Sequence, residues 1–279
     1  MSINNEIVKV QIRDFLPRHT FDCGQCFLWE LQEDGSYTGI ANRQAVRISM
    51  VEDTVEIEGI TQTDYEDFWK RYLDFDRDYS KIKKTVSIND TMIKSVEFGN
   101  GIRILRQDFF ETLISFIISQ RSSIPKIKSC VEKLCSLYGD EIHFKGKVFY
   151  TFPTAQKIAS LSEEEIRSLG VGYRAPYILK AAQAVVNGEI NAEELEAMDT
   201  ASARQKLLSL YGVGDKVCDC VLLFSLGKYD LFPADVWIKR VMAEEFKSTD
   251  AKLAGETKFG SYSGFAQQYL FYWRKYNNV

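Results

Sequence analysis

The stretch LLSLYGVGDKVCDCVLLFSL, residues 207–226, decides the fold, because two apolar helical segments there flank a Gly212-Val213-Gly214 turn. Helices joined by so short a turn form a hairpin, and its glycines adopt backbone angles that other residues avoid while letting a ligand approach the main chain. The amide groups of the turn and of the second helix's first residues point outward and can bind a phosphate without an excess of Lys or Arg. A glycine-capped turn between two helices has the same pattern, so the stretch predicts a helical hairpin and leaves its ligand open.

Lys216 stands in the first turn of the second helix, where a cation opposes the helix dipole and where a sequence selected for stability alone would have Asp or Glu. A partly desolvated lysine in that place can exist as a neutral amine and act as a nucleophile. The alternative is a solvated surface lysine, which is the commonest fate of this residue type.

Asp235 lies in the segment FPADVW, residues 232–237, which has the pattern of a loop that enters a helix. An aspartate at that point caps the helix by accepting a hydrogen bond from a free backbone amide. The same hydrogen bond keeps the carboxylate ionised and oriented, so that it can stabilise a positive charge that develops on a sugar. The cap and the chemical role therefore do not compete at Asp235.

The chain from about residue 100 onward has the hydrophobic spacing of helices. We expect one helix that starts near Asp108, a second that ends at Gly139, and a capping box over residues 162–165. Further helices are predicted over residues 174–188, 200–211, 215–226, 235–246 and 263–275.

The first part of the chain, to about residue 95, is predicted to be β-rich. Apolar and polar residues alternate between residues 36 and 60, and turn signals such as Glu33-Asp34-Gly35 interrupt them. This pattern indicates an antiparallel meander with one buried face. The predicted fold class is therefore α+β, with a β-rich N-terminal domain followed by a helical body.

The composition excludes several classes of protein. The 279 residues are 45% hydrophobic and 27% charged, with a formal net charge of −4, which argues against a non-specific nucleic-acid coat protein but leaves room for a local basic patch. The first residues lack a basic-then-apolar signal, and no uncharged apolar run is long enough to cross a bilayer. We therefore expect an intracellular protein with no membrane partner, not a secreted one.

The six cysteines are expected to be reduced thiols in an intracellular chain of this length. Cys23 and Cys26 form a CxxC that is compatible with zinc or with a redox pair. No second CxxC follows, and the only histidines are His19 and His143. A closed four-ligand zinc site is therefore not expected, and the role of the pair is left open.

Five separated motifs resemble one family of DNA repair enzymes. The hairpin GVGDKVCDC, residues 212–220, followed by FPADVW, resembles the helix-hairpin-helix and Gly/Pro-Asp signature of the HhH-GPD DNA glycosylase superfamily. Within it the chain is most similar to the 8-oxoguanine DNA glycosylase/lyases. Their N-terminal, first helical, second glycine-rich and C-terminal motifs are matched, in that order, by residues 21–29, 105–119, 169–175 and 264–271.

The resemblance implies a TATA-binding-protein-like β domain over residues 1–98 and a helical glycosylase domain over residues 99–279. It also implies the chemistry of the two candidate catalytic residues. Lys216 would attack C1′ of the damaged nucleoside and expel the base, after which a Schiff base forms and β-elimination cuts the strand on the 3′ side. Asp235 would stabilise the positive sugar and assist proton transfers.

The family extrudes its target base from the duplex, and the resemblance assigns residues to the base pocket. 8-Oxoguanine has a hydrogen on N7 where guanine has a lone pair, and the carbonyl of Gly24 would accept a hydrogen bond from it. Phe271 and Cys220 would hold the base between them. Gln267 would read its Watson–Crick edge, and Phe116 would line the same pocket.

The resemblance also assigns contacts to the DNA around the lesion. Tyr173 and Arg174 match the wedge that fills the gap and an orphan-base contact. Arg121 stands where eukaryotic relatives have Asn, which leaves its contact open. Lys126 stands where relatives have an Arg that touches the orphan base, and because lysine is a poorer bidentate donor the preference for cytosine is expected to be looser. Trp237 replaces a histidine that contacts a phosphate. The hairpin adds three expected DNA contacts, at Gly212, Gly214 and Val217.

No cofactor is expected, because the chain has no Cys after residue 220 to complete a four-cysteine iron–sulfur cluster and the chemistry needs no metal. The partner would be double-stranded DNA with 8-oxoguanine opposite cytosine, bound by a monomer. Two alternatives stay open, a helix-hairpin-helix DNA-binding protein without catalysis and a glycosylase for another damaged purine. The first would not explain Lys216 and Asp235 together, and relatives that act on alkylated purines usually lack the lysine. A Schiff-base aldolase would need an alternation of strands and helices that the sequence lacks.

Overall fold

The computed structural model describes residues 6–277, which form an antiparallel sheet near the N-terminus and a larger helical body. The strands are β1 (Ile7–Gln11), β2 (Trp29–Leu31), β3 (Tyr37–Ala41), β4 (Gln44–Val51), β5 (Thr54–Glu58), β6 (Glu141–Phe144) and β7 (Lys147–Tyr150). The α-helices are α1 (Pro17–Phe21), α2 (Gln62–Asp64), α3 (Lys70–Tyr72), α4 (Tyr79–Val86), α5 (Asp90–Phe98), α6 (Phe109–Ile118), α7 (Ile124–Tyr138), α8 (Ala155–Ala159), α9 (Glu163–Ile166), α10 (Ala175–Val186), α11 (Ala192–Ala197), α12 (Thr200–Leu208), α13 (Asp215–Phe224), α14 (Val236–Phe246), α15 (Ala251–Phe259) and α16 (Ser263–Tyr276).

The N-terminal sheet has the strand order β1-β5-β4-β3-β2, and every neighbouring pair is antiparallel. Alternation along β4 and β5 turns Ile48 and Ile57, which are register partners, into the core, where Trp29 and Trp69 are also buried. The predicted meander over residues 36–60 is therefore confirmed. The short β6–β7 hairpin within the helical body was not expected from the sequence.

Many helices of the helical body begin at polar residues whose side chains cap them, as the sequence predicts for α6 and α9. The Asp108 side chain accepts a hydrogen bond from the Glu111 amide at the start of α6, and Ser162 and Glu165 form a reciprocal capping box at α9. Helix α7 ends at Gly139. The five predicted helical spans correspond to α10, α12, α13, α14 and α16, with small differences at their ends.

The expectation that the chain is β-rich to about residue 95 is wrong for residues 62–98, which form α2 to α5 and a π-helical turn at Tyr65–Trp69. The side chains of Asp78 and Asn89 accept hydrogen bonds from the first free amides of α4 and α5. Helix α5 packs on α16, and α4 and α5 contribute buried residues to the core of the helical body. The division of the chain at residue 98 stays a prediction.

The loop between α1 and β2 connects the two hydrophobic cores. Cys23 is buried in the core of the helical body, whereas Cys26 is buried in the core beneath the sheet. The loop therefore lies against both parts of the molecule and carries Gly24 to their junction. Among residues 6–277, none of the helices combines the length and the apolar character that crossing a bilayer requires.

Candidate active site

A cavity of about 840 Å³ brings most of the candidate residues together. The first turns of α13 and α14, the loop after α6, the loop around Gly24 and one face of α16 enclose it. The candidate residues in its lining are Gly24, Phe116, Arg121, Gly214, Lys216, Val217, Cys220, Asp235, Trp237, Gln267 and Phe271. Four other candidates lie outside this lining: Lys126, Tyr173, Arg174 and Gly212.

The Lys216 side chain is half-buried in the wall of this cavity. Its Nζ donates a hydrogen bond to Ser119 Oγ at 3.1 Å and lies 4.8 Å from the centre of the Phe116 ring. The buried Cys220 thiol lines the same cavity. The ion pairs within residues 6–277 do not include Lys216. An amine held by a hydroxyl and an aromatic face, rather than by a carboxylate, can present its lone pair to a substrate once it has lost its proton.

Asp235 caps α14 and faces the same cavity, as the sequence predicts. Its Oδ1 accepts a hydrogen bond from the Ile238 amide at 2.9 Å, which fixes the orientation of the carboxylate. Burial raises the pKa of Asp235 above its ordinary value, while the Ile238 amide and the nearby Lys216 oppose that rise. The site therefore joins an amine and a partly desolvated carboxylate on one cavity wall, built from the N-terminal ends of two helices.

Asp219 anchors the helix that carries Lys216. This carboxylate is fully buried on α13 and accepts from Arg204 Nε on α12 at 2.8 Å and from Lys252 Nζ on α15 at 2.5 Å. Arg204 also pairs with Asp215 in the first turn of α13. A buried carboxylate with two cationic partners ties three helices together, so the first turn of α13 has little freedom to rotate.

The loop around Gly24 is held from both sides. Gln268 donates to the carbonyl of Cys23 at 2.7 Å, and Gln107 donates to the carbonyl of Gln25 at 2.8 Å. Within residues 6–277, nothing donates a hydrogen bond to the carbonyl of Gly24 itself, which lies between those two. Gly24 has φ +83°, and a Cβ there would lie 3.0 Å from the Phe271 ring, so a side chain would be strained by the backbone angle and tight against the ring.

The other base-pocket candidates lie around that loop. The Cys220 thiol is buried, which raises its pKa to about 12, so it is a neutral thiol at the cavity wall. The Oε1 atom of Gln267 is buried and has no hydrogen-bond partner within residues 6–277. Such an atom is destabilising unless a ligand satisfies it. Phe271 is half-buried beside Gly24, and Phe116 stacks on Phe224 beneath Lys216.

The second glycine-rich loop, residues 169–174, is joined to the hairpin through the loop after α6. Arg174 donates from Nε to the carbonyl of Gln120 at 2.8 Å and from Nη1 to the carbonyl of Val171 at 2.9 Å. The Gln120 side chain in turn donates to the carbonyl of Gly212 at 3.0 Å. The Tyr177 ring packs on Gly212 so closely that a Cβ there would lie 2.2 Å from its Cγ. The structure therefore links the two loops without placing Arg174 in the cavity.

The remaining candidates lie on the rim or beyond it. Arg121 and Lys126 are exposed, and the Lys126 Nζ lies beside Gly170. Trp237 is exposed at the cavity edge with the Arg240 guanidinium 5.4 Å from its ring. Their placement is compatible with contacts to a duplex that covers the cavity mouth, and those contacts stay predictions.

Comparison with known families agrees with the geometry. The N-terminal domain of 8-oxoguanine DNA glycosylases matches residues 7–113, and the HhH-GPD superfamily of base excision DNA repair proteins matches residues 114–260. The chain belongs to the 8-oxoguanine DNA glycosylase family. The resemblance that the motifs carry is thus confirmed, as is the α+β fold class.

Individual members of the 8-oxoguanine DNA glycosylase family match most of the chain. It is 44% identical to MBOgg1, solved in complex with a low-affinity DNA ligand, over 99% of both chains with a TM-score of 0.94. It is 39% identical to the Clostridium acetobutylicum 8-oxoguanine glycosylase/lyase, solved in complex with double-stranded DNA containing cytosine opposite 8-oxoguanine, over 100% of both chains with a TM-score of 0.94. The N-glycosylase/DNA lyase OGG1 of Arabidopsis thaliana is 30% identical, over 90% of this chain and 75% of the plant protein.

Some curated relatives in the family are longer than this chain. The chain spans 64% of the probable N-glycosylase/DNA lyase of Methanothermobacter thermautotrophicus and 56% of the N-glycosylase/DNA lyase of Saccharomyces cerevisiae. The matches are 32% and 33% identical, respectively.

The CxxC at Cys23 and Cys26 has a structural role. The Cys23 thiol donates to the carbonyl of Thr20 at 3.1 Å, and the Cys26 thiol donates to the carbonyl of Phe21 at 3.6 Å. Both thiols are free and buried. Residues 6–277 hold no cluster of His, Cys, Asp and Glu side chains arranged to bind a metal ion. The pair therefore secures the loop that carries Gly24.

The sequence did not predict the contacts of two residues of the site. Ser119 accepts the Lys216 hydrogen bond, and Gln120 connects the two glycine-rich loops. Both lie in the loop after α6, Ser119 at the end of the segment that matches the family's first helical motif and Gln120 directly after it, but their partners are distant in sequence. The motif gave a signal that the segment matters without indicating which contacts it makes.

Proposed function

We propose that the protein is a bifunctional base excision repair enzyme that removes 8-oxoguanine from double-stranded DNA and then nicks the strand. One observation carries the proposal. The Lys216 amine and the Asp235 carboxylate share the wall of a cavity whose other walls supply unsatisfied groups for a base. A DNA-binding hairpin without catalysis has no need of such a cavity.

The chemistry uses the chain's own amine. The neutral Lys216 Nζ attacks C1′ as the bond from C1′ to N9 breaks, and the base leaves with that electron pair and takes up a proton. The sugar ring opens to give an iminium between Nζ and C1′. The iminium acidifies the C2′ proton, and its loss expels the 3′ phosphate by β-elimination. Asp235, held by the Ile238 amide, stabilises the positive sugar and moves protons.

The lesion is distinguished by the acceptors that surround it. The free carbonyl of Gly24 would accept the N7 hydrogen of 8-oxoguanine, whereas the N7 lone pair of guanine would be repelled. The unpartnered amide oxygen of Gln267 would accept a hydrogen bond from the Watson–Crick edge. The Phe271 ring and the Cys220 thiol would cover the two faces of the base. A buried acceptor left unpaired by the wrong base disfavours that base strongly.

We further propose that the lesion is bound opposite cytosine, by a monomer, and without a metal or other cofactor. Tyr173 would fill the gap left by the extruded base. Because Arg121 and Lys126 replace Asn and Arg of relatives, the discrimination against other opposite bases should be weaker. Activity should therefore survive EDTA treatment, and an 8-oxoguanine opposite adenine should be processed at a reduced rate rather than not at all.

The test uses labelled duplexes that differ only at one base pair. The pair is 8-oxoguanine opposite cytosine, guanine opposite cytosine, or 3-methyladenine opposite thymine. Base release and strand cleavage are measured under single-turnover conditions. We expect release and cleavage on 8-oxoguanine alone. Release of the alkylated purine instead would support a glycosylase for another damaged purine. Binding to every duplex without any base release would support a non-catalytic DNA-binding protein.

A further inference from the structure

A strip of tyrosines with basic residues at its ends crosses the surface between the second glycine-rich loop and the hairpin. We call it the tyrosine strip; it consists of Arg174, Tyr173, Tyr177, Tyr211 and Lys180. The Arg174 guanidinium lies 4.5 Å from the Tyr173 ring centre. The rings of Tyr173 and Tyr177 are 6.0 Å apart, those of Tyr177 and Tyr211 are 5.0 Å apart, and the Lys180 Nζ lies 5.1 Å from the Tyr211 ring.

The outer members of the strip are directed to solvent. Tyr173 is 47% exposed and Tyr211 is 57% exposed, although tyrosine usually buries most of its ring. Lys180 is exposed, and the ion pairs within residues 6–277 do not include it. Successive rings meet edge to face, which orders them without covering them. The strip is thus a pre-arranged surface of rings and cations that no part of residues 6–277 covers.

The strip is continuous with the hairpin. Tyr211 directly precedes Gly212, and the Tyr177 ring packs against the backbone of Gly212. The hairpin turn and the exposed Tyr211 ring therefore belong to one surface. A protein with a formal net charge of −4 can bind a polyanion only where cations cluster locally. Arg174 and Lys180 place two cations on the surface next to the hairpin.

We propose that Tyr177, Lys180 and Tyr211 bind the sugar-phosphate backbone of the duplex arm next to the lesion. This rests on the proposed function, because it takes duplex DNA as the ligand. Lys180 pairs with one phosphate, and the Tyr211 ring packs on the adjoining deoxyribose. Tyr177 supports both by fixing Tyr211 and Gly212. The contact is independent of base sequence, since neither an ammonium group nor a ring face distinguishes base pairs at the backbone.

The experiment measures the dissociation constant for an 8-oxoguanine duplex as a function of salt. Lys180→Gln should weaken binding roughly fivefold to tenfold near 0.1 M salt and reduce the slope of log Kd against log salt by about one. Tyr211→Ala should weaken it about tenfold, and Tyr211→Phe should retain wild-type affinity because it keeps the ring. Lys94→Gln, at an exposed lysine on α5, is the matched control and should change neither quantity.

Duplexes shortened stepwise on either side of the lesion locate the contact. The difference between wild type and Lys180→Gln should persist when one arm is shortened and vanish when the other is. Single-turnover base release at saturating enzyme should stay within about twofold of wild type for each variant, since the strip lies outside the cavity.

Three results would overturn the proposal. They are wild-type affinity in both Lys180→Gln and Tyr211→Ala, an unchanged salt slope in Lys180→Gln, or a difference in affinity between wild type and Lys180→Gln that stays the same whichever arm of the duplex is shortened. If Tyr211→Ala lowers the thermal unfolding midpoint, its effect on binding cannot be separated from its effect on stability. Lys180→Gln then decides whether the strip binds DNA, because an exposed lysine contributes little to packing. Failure of the proposed function is separate. It would appear as wild-type protein that neither binds nor processes the lesion duplex.

Discussion

The two glycine-rich loops have nearly the same sequence and different environments. GVGYR, residues 170–174, and GVGDK, residues 212–216, both place a cation two residues after the second glycine. The two cations are received by consecutive residues of one loop: Arg174 donates to the carbonyl of Gln120, and Lys216 donates to the hydroxyl of Ser119. Their surroundings then diverge.

The surroundings of each cation, rather than the motif that both share, decide which of the two can react. Arg174 is bound by carbonyl groups and lies over an exposed ring, so its hydrogen bonds hold it as a structural cation. Lys216 faces a cavity, with a hydroxyl as its hydrogen-bond partner and Asp235 nearby. The first loop places Tyr173 at the surface, and the second places at the cavity the lysine that we propose as the nucleophile.

The largest effect is expected at the second loop. Lys216→Gln keeps the length and polarity of the side chain but removes the nucleophilic amine, so base release should fall by at least about four orders of magnitude. Single-turnover kinetics on the 8-oxoguanine duplex measure this, and Lys94→Gln serves as the surface control. Affinity for the duplex should change little. A variant that kept a tenth of the wild-type rate would place the chemistry on another residue.

Asp235→Asn should lower the single-turnover rate by roughly a hundredfold to a thousandfold, because the amide keeps the cap but carries no charge to stabilise the sugar. The wild-type rate should fall as the pH drops through the raised pKa of Asp235, and the variant should lack that acidic limb. An unchanged pH profile in the variant would remove Asp235 from the mechanism.

The stability of this variant provides a separate check with a defined sign. Because burial raises the pKa of Asp235, the folded state binds the proton more tightly than the unfolded state, and wild-type stability falls as the pH rises through that pKa. Asp235→Asn should therefore gain stability relative to wild type from low to neutral pH. Asp235→Ala, which also loses the cap, should be about 1 kcal/mol less stable than Asp235→Asn.

The glycines of the two loops should respond unequally to alanine. Gly212→Ala combines a positive φ of +86° with a Cβ 2.2 Å from Tyr177, so the free energy of unfolding should fall by about 2–4 kcal/mol. Gly172→Ala has open space around the Cβ and is strained only by its backbone angles, φ +60° and ψ −128°, which should cost about 1–2 kcal/mol. Urea unfolding measures both. Equal losses would show that the Tyr177 packing contributes nothing.

Of the functional effects expected in the two loops, the smaller is at the first. Arg174→Lys loses the forked donation to Gln120 and Val171, and affinity for the lesion duplex should weaken about tenfold. The rate at saturating enzyme should stay close to wild type, because Lys216 keeps its own partner. Arg43→Lys, at an exposed ion pair, is the control. A loss of rate like that of Lys216→Gln would contradict the division of roles between the loops.

Local signals allowed much of this to be predicted from the sequence. Helix caps at Asp108 and Asp235 depend on residues three positions away, so the sequence contains the whole interaction. Asn89 forms the same kind of local cap at the start of α5, accepting a hydrogen bond from the Met92 amide. The β-rich expectation for the first part of the chain rests on the alternation in residues 36–60 and overlooks this cap. Residues 62–98 were therefore predicted as β-rich although their caps indicate helices.

The contacts that complete the site could not be predicted, because they join residues far apart in the chain. Ser119 meets Lys216 across 97 positions, and Gln120 meets Gly212 across 92. No spacing pattern reports such a pairing. Likewise, the positive φ of Gly24 fits a turn, but its approach to Phe271 depends on how α16 packs against the N-terminal loop.

The most direct test of the account is to locate the covalent bond between protein and DNA. The protein is incubated with an 8-oxoguanine duplex and borohydride, the trapped adduct is digested, and the modified peptide is identified by mass spectrometry. We expect the reduced sugar to be attached to Nζ of Lys216. The other lysines of the cavity lining, Lys239 and Lys275, should lie in unmodified peptides. Attachment to either of those lysines would contradict the assignment of the nucleophile to the hairpin.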